Sequence, residues 1–510
     1  MLPNIFLRLV AGARGRVIAD GASRVWNGLL SFALLPVYLH LIGAESFGVV
    51  STFASVQAVI ALFDCSLAPS LTRELARARA GKDGWVRIHD LTRTMEVVYC
   101  GLALLAGAAF CLLVPVISNY WLNPGKLTSS EVSTALYVGA LGLVFQWPST
   151  LYNGGMVGLQ KQPLLALFNI STSTARAAIT IFCLWAISPS VETLFWVGAV
   201  LSLIQTLIVR RIFWRSMPAV TVRGVFRSKL LSEIWRFAFG VSTITVTSVI
   251  LLQADKVILS KLLSLEDFGY YTISIALANA LFIVTGSIFS VTFPMLTELA
   301  TASDRTRLNA FYHQACQGVS IAILPISAVI AFFSPELLLL WTRNPHIAAQ
   351  GHMILTICIV GNVFNCLLSL PYTIQLAFGW TRVAIISNFA SLLLVFPLIL
   401  LLFPRFGSLS GPITWSVINF GLLVAQTSVL HHKALRSEAK KWYLVDAGLP
   451  LLASFLTVAA IRQAIPALEN RWTITAVIFG AWFVATLVTI TVLPDIRRWL
   501  LQAIWPRQLS

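Results

Sequence analysis

Charge is what this chain has least of. Asp, Glu, Lys and Arg together make up 11% of its 510 residues, against 57% hydrophobic residues and a mean hydropathy of +0.83. No water-facing globular surface can be assembled from that composition. Acidic groups are the scarcer sign, 20 Asp and Glu against 36 Lys and Arg. The long polar segments in which membrane-bound transferases and polymerases usually carry their catalytic groups are missing. The longest predicted outer segment, "SNYWLNPGKLTSSE", holds one Lys and one Glu. No P-loop, HExxH, GxSxG or DxD pattern in a fitting context occurs. The seven cysteines lie in or beside apolar runs with no pair at metal-ligand spacing, so neither a disulfide framework nor a metal site is expected.

What is abundant is apolar sequence long enough to cross a bilayer. A hydrocarbon core about 30 Å thick needs roughly 20 apolar residues per helix. The hydropathy pattern predicts an all-α integral membrane protein of fourteen spans, the first at 20–42, the second at 47–68, the fifth at 163–187, the seventh at 237–260 and the last two at 444–463 and 472–493. The run from Val25 to Ile42 continues straight into a second span, so it reads as a retained helix and not a cleaved leader. Lys and Arg of short loops stay on the cytoplasmic side. Arg73, Arg77, Arg79, Lys82, Arg87 and Arg93 in the second loop, and Arg210 to Arg236 in the sixth, put both termini there. The net charge of +16 is thus a consequence of topology and of attraction to anionic lipid headgroups, and nucleic acid is not an expected partner.

The heptapeptides "AESFGVV" (44–50) and "LEDFGYY" (265–271) stand at equivalent outer turns, after spans 1 and 7. Further pairs follow in order: Pro69 with Pro294, Thr72 with Thr297, Gly158 with Gly379, Asn169 with Asn388, and the doublets Arg210-Arg211 with His431-His432. An internal duplication of a six-span unit explains them, and an even span count makes the copies parallel. The expected organisation is an N-lobe at 1–222, a C-lobe at 223–437 and an appended pair of helices with a cytoplasmic tail at 438–510. In both copies of the heptapeptide, the Gly is expected to permit the reversal after a helix end and the acid and Phe to cap and anchor it.

Two parallel lobes without a soluble domain suit alternating access to a mid-membrane site. Charges inside the spans are the candidates for that site, because each costs several kcal/mol to insert. Arg176 lies with about twelve residues of span 5 on either side, roughly 18 Å at ~1.5 Å per residue, too deep to snorkel. It either lines a cavity and meets an anionic substrate, or forms a salt bridge to a carboxylate of another helix. Arg24, one turn after Asp20, has an i,i+4 pair as its plain explanation. Adjacent Asp255 and Lys256 diverge by about 100° on span 7; Lys256 can reach the interface, while Asp255 needs a partner and is read as a coupling, gating or bridging group. Asp64 near the inner end of span 2 poses the same choice, and Glu96 at the start of span 3 reads as interfacial. Asn169, Asn388 and other polar residues such as Gln57, Gln146, Asn362 and Gln375 are individually expected to pack helices together, and as a set to allow a wet interior for sugars.

The segments "LLPVYLHLIGAESFGVVSTF", "FDCSLAPSLTREL", "QADKVILSKLLSLEDFGYYTIS", "VGLQKQPLLALFN" and "LAFGWTRVAIISN" together resemble the polysaccharide flippases of the multidrug/oligosaccharidyl-lipid/polysaccharide exporter superfamily. The resemblance implies twelve or fourteen helices in two lobes around a cationic cavity. It also implies transfer of an undecaprenyl-diphosphate-linked oligosaccharide from the cytoplasmic to the outer leaflet of the bacterial inner membrane, for O-antigen, capsule or exopolysaccharide. It assigns Arg176 and Arg24 to the diphosphate and Asp255 to the acidic position of the seventh helix. It names no cofactor, with H⁺ or Na⁺ coupling open, and sets the chain beside membrane lipids, a polysaccharide polymerase and glycosyltransferases. One departure is Ser66, where relatives have Gly two residues after the acid. The rivals are a drug or organic-cation antiporter, which should favour intramembrane carboxylates, and a membrane glycosyltransferase or polymerase.

Overall fold

A computed structural model describes residues 13–60, 67–79, 84–220, 224–302, 304–465 and 470–497. Among them there are helices and no strands, the arrangement in which an apolar solvent leaves no backbone N–H or C=O unpaired. The chain divides into two compact units at Gly269/Tyr270. The first contains α1 (Ala13–Ile60), α2 (Leu67–Arg79), α3 (Trp85–Val116), α4 (Ser129–Gln146), α5 (Pro148–Gly158), α6 (Gln162–Ala186), α7 (Val191–Ser216) and α8 (Ser228–Leu262). The ninth helix, α9 (Leu265–Ala278), begins at the division. The second unit continues through α10 (Leu281–Thr301), α11 (Arg305–Phe332), α12 (Ser334–Thr342), α13 (Pro345–Ala377), α14 (Thr381–Phe406) and α15 (Ser410–Lys433). It closes with α16 (Leu449–Ala464) and α17 (Arg471–Val492).

Among the described residues, ten helical segments are long and apolar enough to cross a membrane. Two of these, Gly21–Ile60 and Arg382–Lys433, each carry two of the predicted spans. Span 4 is broken into α4 and α5 at Trp147–Pro148, because Pro has no N–H for the helix ladder and is accommodated at a first helical position. Span 7 is α8, packed on α1, α2 and α3 within the first unit. Lipid-facing positions are marked by large exposed side chains, Leu105 at 68% and Leu112 at 79%. The first unit's interior is built by Leu71, Leu75, Met95, Leu151, Met156 and Phe213.

The end of the first unit that holds the turn between spans 1 and 2 corrects the expected role of the repeated glycine. The residue that turns the chain between spans 1 and 2 is Gly43, with φ +82°. Gly48 and Gly269 instead lie inside helices, and their missing side chains let two backbones meet. A Cβ on Gly48 would collide with the Leu265 carbonyl oxygen, and one on Gly269 with the Ala44 carbonyl oxygen. Residue five of each heptapeptide thus rests on residue one of the other. The two acids have diverged. Glu45 is buried and accepts the backbone N–H groups of Gly125, Lys126 and Leu127 at 2.6, 3.0 and 3.1 Å, whereas Glu266 is exposed. Asn123 of the same loop donates its side-chain amide to the Lys261 carbonyl at 3.0 Å, fastening the end of α8. Phe268 is wholly buried and anchors no interface.

At the opposite end of the first unit Glu96 is buried, 4% exposed. Its carboxylate accepts from Arg93 at 2.6 Å, Tyr152 at 2.7 Å, Trp214 at 2.8 Å and Arg210 at 3.0 Å. Four donors from α3, α5 and α7 offset the cost of burying the acid. We expect Glu96→Gln to lower stability by about 1–2 kcal/mol, since an amide N–H₂ would face donors; thermal unfolding of the detergent-solubilised protein measures it.

The duplication is two residues out of register at one expected pair. The turns before α6 and α14 have the same two bonds: Lys161 N–H to Met156 O with Gln160 N–H to Val157 O, and Trp380 N–H to Gln375 O with Gly379 N–H to Leu376 O. The left-handed residue is Gln160 (φ +58°) in one copy and Gly379 (φ +75°) in the other. Gly379 therefore matches Gln160, not Gly158, on the same 219-residue offset that pairs Asn169 with Asn388. A side chain in this conformation costs roughly 1 kcal/mol. Gly379→Ala should cost about that much, the space around it being open, and Gln160→Gly should raise the unfolding midpoint.

Candidate functional site

The site is built on α6, which begins at Gln162 with Pro163 in its first turn and runs 25 residues. Asn169, Ser173, Arg176 and Thr180 follow one another at four-, three- and four-residue steps, so one face of an otherwise apolar helix is polar. Arg176, half-buried near the middle, donates through Nη2 to Ser202 Oγ at 2.9 Å and to Gln205 Oε1 at 3.3 Å, both on α7. Both partners are uncharged. Among the described residues no carboxylate pairs with Arg176; its dipolar partners Ser202 and Gln205 orient the guanidinium without neutralising it.

The polar face is extended by α1. Trp26 Nε1 donates to Thr174 Oγ1 at 3.0 Å, and Tyr38 is bonded to Thr180 and lies within electrostatic reach of Arg176. Gln57 of α1 meets Gln146 of α4 at 3.1 Å. Arg24 is exposed, two residues before Trp26, just as Arg176 stands two residues after Thr174. The two cations are thus each within roughly 3 Å, measured along their own helix axes, of one inter-helix contact. Asn169 is half-buried two turns before Arg176. Ser202, Gln205, Tyr38 and Trp26 had no role assigned from sequence; the visible signal was Ser202 and Gln205, a polar i,i+3 pair inside "VGAVLSLIQTLIV".

The remaining candidates are Asp255, Lys256, Asn388 and Asp64. Asp255 and Lys256 are half-buried on α8, toward its C-terminal end. Asn388 is half-buried on α14 in the second unit. Asp64 lies outside the described residues. Other polar residues hold helices together: Asn362, fully buried, donates to the Ala278 carbonyl at 2.9 Å and accepts from Trp415 Nε1 at 2.8 Å, and Asn365 donates to Asn419 at 2.7 Å. No group of three or more His, Cys, Asp or Glu residues could hold a metal ion among the described residues.

Comparison with known proteins places this geometry in a wider set. A family model described as polysaccharide biosynthesis protein matches residues 17–300. A Shigella flexneri protein provisionally named an O-antigen transporter is 21% identical over 407 residues, covering 77% of this chain and 93% of that protein. The fold is shared with the lipid II flippase MurJ in an inward closed conformation, at a TM-score of 0.70 and 13% identity, over 96% of this chain and 99% of that one. An inward-facing multidrug transporter of the MATE family and MOP superfamily superposes with a TM-score of 0.61 at 14% identity, over 83% and 96% of the two chains.

Proposed function

Because the chain belongs to the polysaccharide biosynthesis protein family, we propose that this multi-pass membrane protein flips an undecaprenyl-diphosphate-linked oligosaccharide from the cytoplasmic to the outer leaflet of the bacterial inner membrane. The observation that carries the reading is Arg176: a guanidinium in mid-span, aimed by Ser202 and Gln205 and paired with no carboxylate among the described residues. An uncompensated cation at that depth is costly unless an anion visits it. A guanidinium fork matches two phosphate oxygens. Arg24 would receive the same diphosphate near the cytoplasmic end, with Asn169 and Asn388 meeting the glycan and the polyprenyl tail remaining in lipid. Transport proceeds by alternating access, with Asp255, Lys256 and Asp64 in coupling or gating roles. Both termini are cytoplasmic and no organic cofactor takes part, with coupling to H⁺ or Na⁺ left open. The polymerase and glycosyltransferases of the same glycan are the partners.

The test uses purified full-length protein in liposomes carrying a polyprenyl-diphosphate oligosaccharide in one leaflet. A membrane-impermeant glycosidase on the other side should trim the glycan with time only when the protein is present. Glycan that stays protected would overturn the reading. Sugar incorporation from an activated donor would indicate a transferase, and efflux of a cationic dye without glycan movement an antiporter.

A further inference from the structure

The second unit buries a cluster of ionisable groups that the proposed transport path does not use. On α11, His313 and Gln317 stand one turn apart, 1% and 0% exposed. His313 Nδ1 is hydrogen-bonded to Asp446 Oδ2, and Nε2 to Glu438 Oε2 at 3.0 Å. Gln317 Nε2 donates to Asp446 Oδ1 and to Asp495 Oδ2, both at 2.9 Å, and its Oε1 accepts the backbone N–H of Asp495 at 3.0 Å. Asn309 donates to Glu438 Oε1 at 3.0 Å, and Lys441 pairs with Asp495 at 3.2 Å. The other titratable groups near the ring are Tyr312 and Cys316 on α11, Tyr443 on the connection to α16, and His431 on α15. His431 is 4% exposed, stacks beside Trp442 and Tyr443, and has no well-formed hydrogen bond at either ring nitrogen.

The proton count decides what this arrangement is. An ionised carboxylate only accepts hydrogen bonds, and a neutral imidazole has a single N–H. A ring bonded to carboxylates through both nitrogens therefore holds one proton more than a neutral ring with two carboxylates. Either the ring is imidazolium or one carboxyl is protonated. The duplication sharpens the point. At the 221-residue offset, Gln317 and His431 occupy the places of Glu96 and Arg210, which form a permanently charged pair in the first unit. In the second unit both are replaced by groups without fixed charge, and the acids arrive from 436–448 and from the end of α17.

We infer that His313, Asp446 and Glu438 form a proton-binding site whose extra proton sits on the His313 ring, between the two carboxylates. Its ligand is a proton exchanged with the aqueous side on which 436–448 lies. Glu438, with its side chain 21% exposed, is the wet end, and Asp446, with none of its side chain exposed, is the dry end. A ring that has lost its extra proton has one N–H left. Asp446 cannot be rehydrated and keeps it, while Glu438 can and lets go. Proton release therefore unfastens the connection at 436–441. The site stands without the flippase reading; only its use in driving transport rests on that reading.

The experiment uses full-length protein with ¹⁵N-labelled histidine in lipid nanodiscs, followed by NMR as pH is raised, together with amide exchange of 436–441 corrected for its intrinsic pH dependence. His313→Gln should remove one ring signal, the one that shows the extra proton at low pH. That signal should convert to a single N–H form in one titration, with exchange at 436–441 rising at least tenfold alongside it. Glu438→Gln should move the transition down by roughly one pH unit or more. If His313→Gln does not fold, the shifts in Glu438→Gln and Asp446→Asn carry the test. A ring with a single N–H at every pH, or a transition indifferent to Glu438→Gln, overturns the site. No substrate is needed, so a protein that fails to move lipid-linked sugar still answers the question.

Discussion

Arg176→Ala is expected to abolish export of surface polysaccharide in cells that rely on this chain, and Arg176→Lys to restore part of it. The alanine removes the one charge in mid-span of α6 and leaves Ser202 and Gln205 able to bond each other or water, so the fold should survive. A charge-assisted hydrogen bond to the bound diphosphate is worth about 1.5–3 kcal/mol, a factor of roughly ten to a hundred or more in rate if the bond forms in transit. Lysine keeps a positive point charge but not the two-pronged geometry, hence the partial return. Surface glycan on intact cells is the measurement, normalised to membrane protein and checked by unfolding temperature. Full export by the alanine variant would remove Arg176 from the mechanism. Ser202→Ala and Gln205→Ala should have smaller effects of the same kind, because they aim the guanidinium without supplying its charge.

The second large effect concerns the meeting of the two heptapeptides in the first unit. Gly48→Ala should destabilise the protein by about 3 kcal/mol, the upper end of the usual cost of overpacking. The obstruction is the Leu265 carbonyl, a backbone atom that cannot rotate away. Membrane helices gain little from hydrophobic exclusion and depend on close packing of small residues, so the deficit is not recovered elsewhere. Gly269→Ala should cost a similar amount against Ala44. The two together should cost much less than their sum, since once the helices have moved apart for one methyl group the second finds room. A double-mutant cycle in unfolding free energy reads this directly, and additive effects would mean the two close approaches are independent.

The helical spans and the place of Arg176 near the middle of its helix were legible in the sequence because each follows from one-dimensional spacing: about twenty apolar residues per crossing, and about twelve residues to either side. Pairings between helices were not. Arg176 finds Ser202 and Gln205 only because α6 and α7 are consecutive helices packed side by side, and either a carboxylate or an open face was equally compatible with its sequence surroundings. Glu96 read as interfacial because its partners beyond Arg93 are Tyr152, Arg210 and Trp214, far along the chain. The pairing of Gly158 with Gly379 followed composition, whereas the backbone equates Gly379 with Gln160, which adopts a conformation that glycine favours. His313 gives no signal in the sequence because its partners, Glu438 and Asp446, follow it by more than a hundred residues.

The meeting of the two heptapeptides has the form that two identical subunits make across a two-fold axis, in which a patch meets its own copy. Position five seats on position one, and position one receives position five. A single gene half bearing this stretch would already hold everything such a handshake requires. Within the first unit the contact therefore has, as an internal joint, the form that a symmetric dimer's interface would take. It also explains why Glu45 and Glu266 were free to take up different surroundings while neither glycine was: Glu45 faces a loop that belongs to one copy alone, and the glycines face each other's backbone.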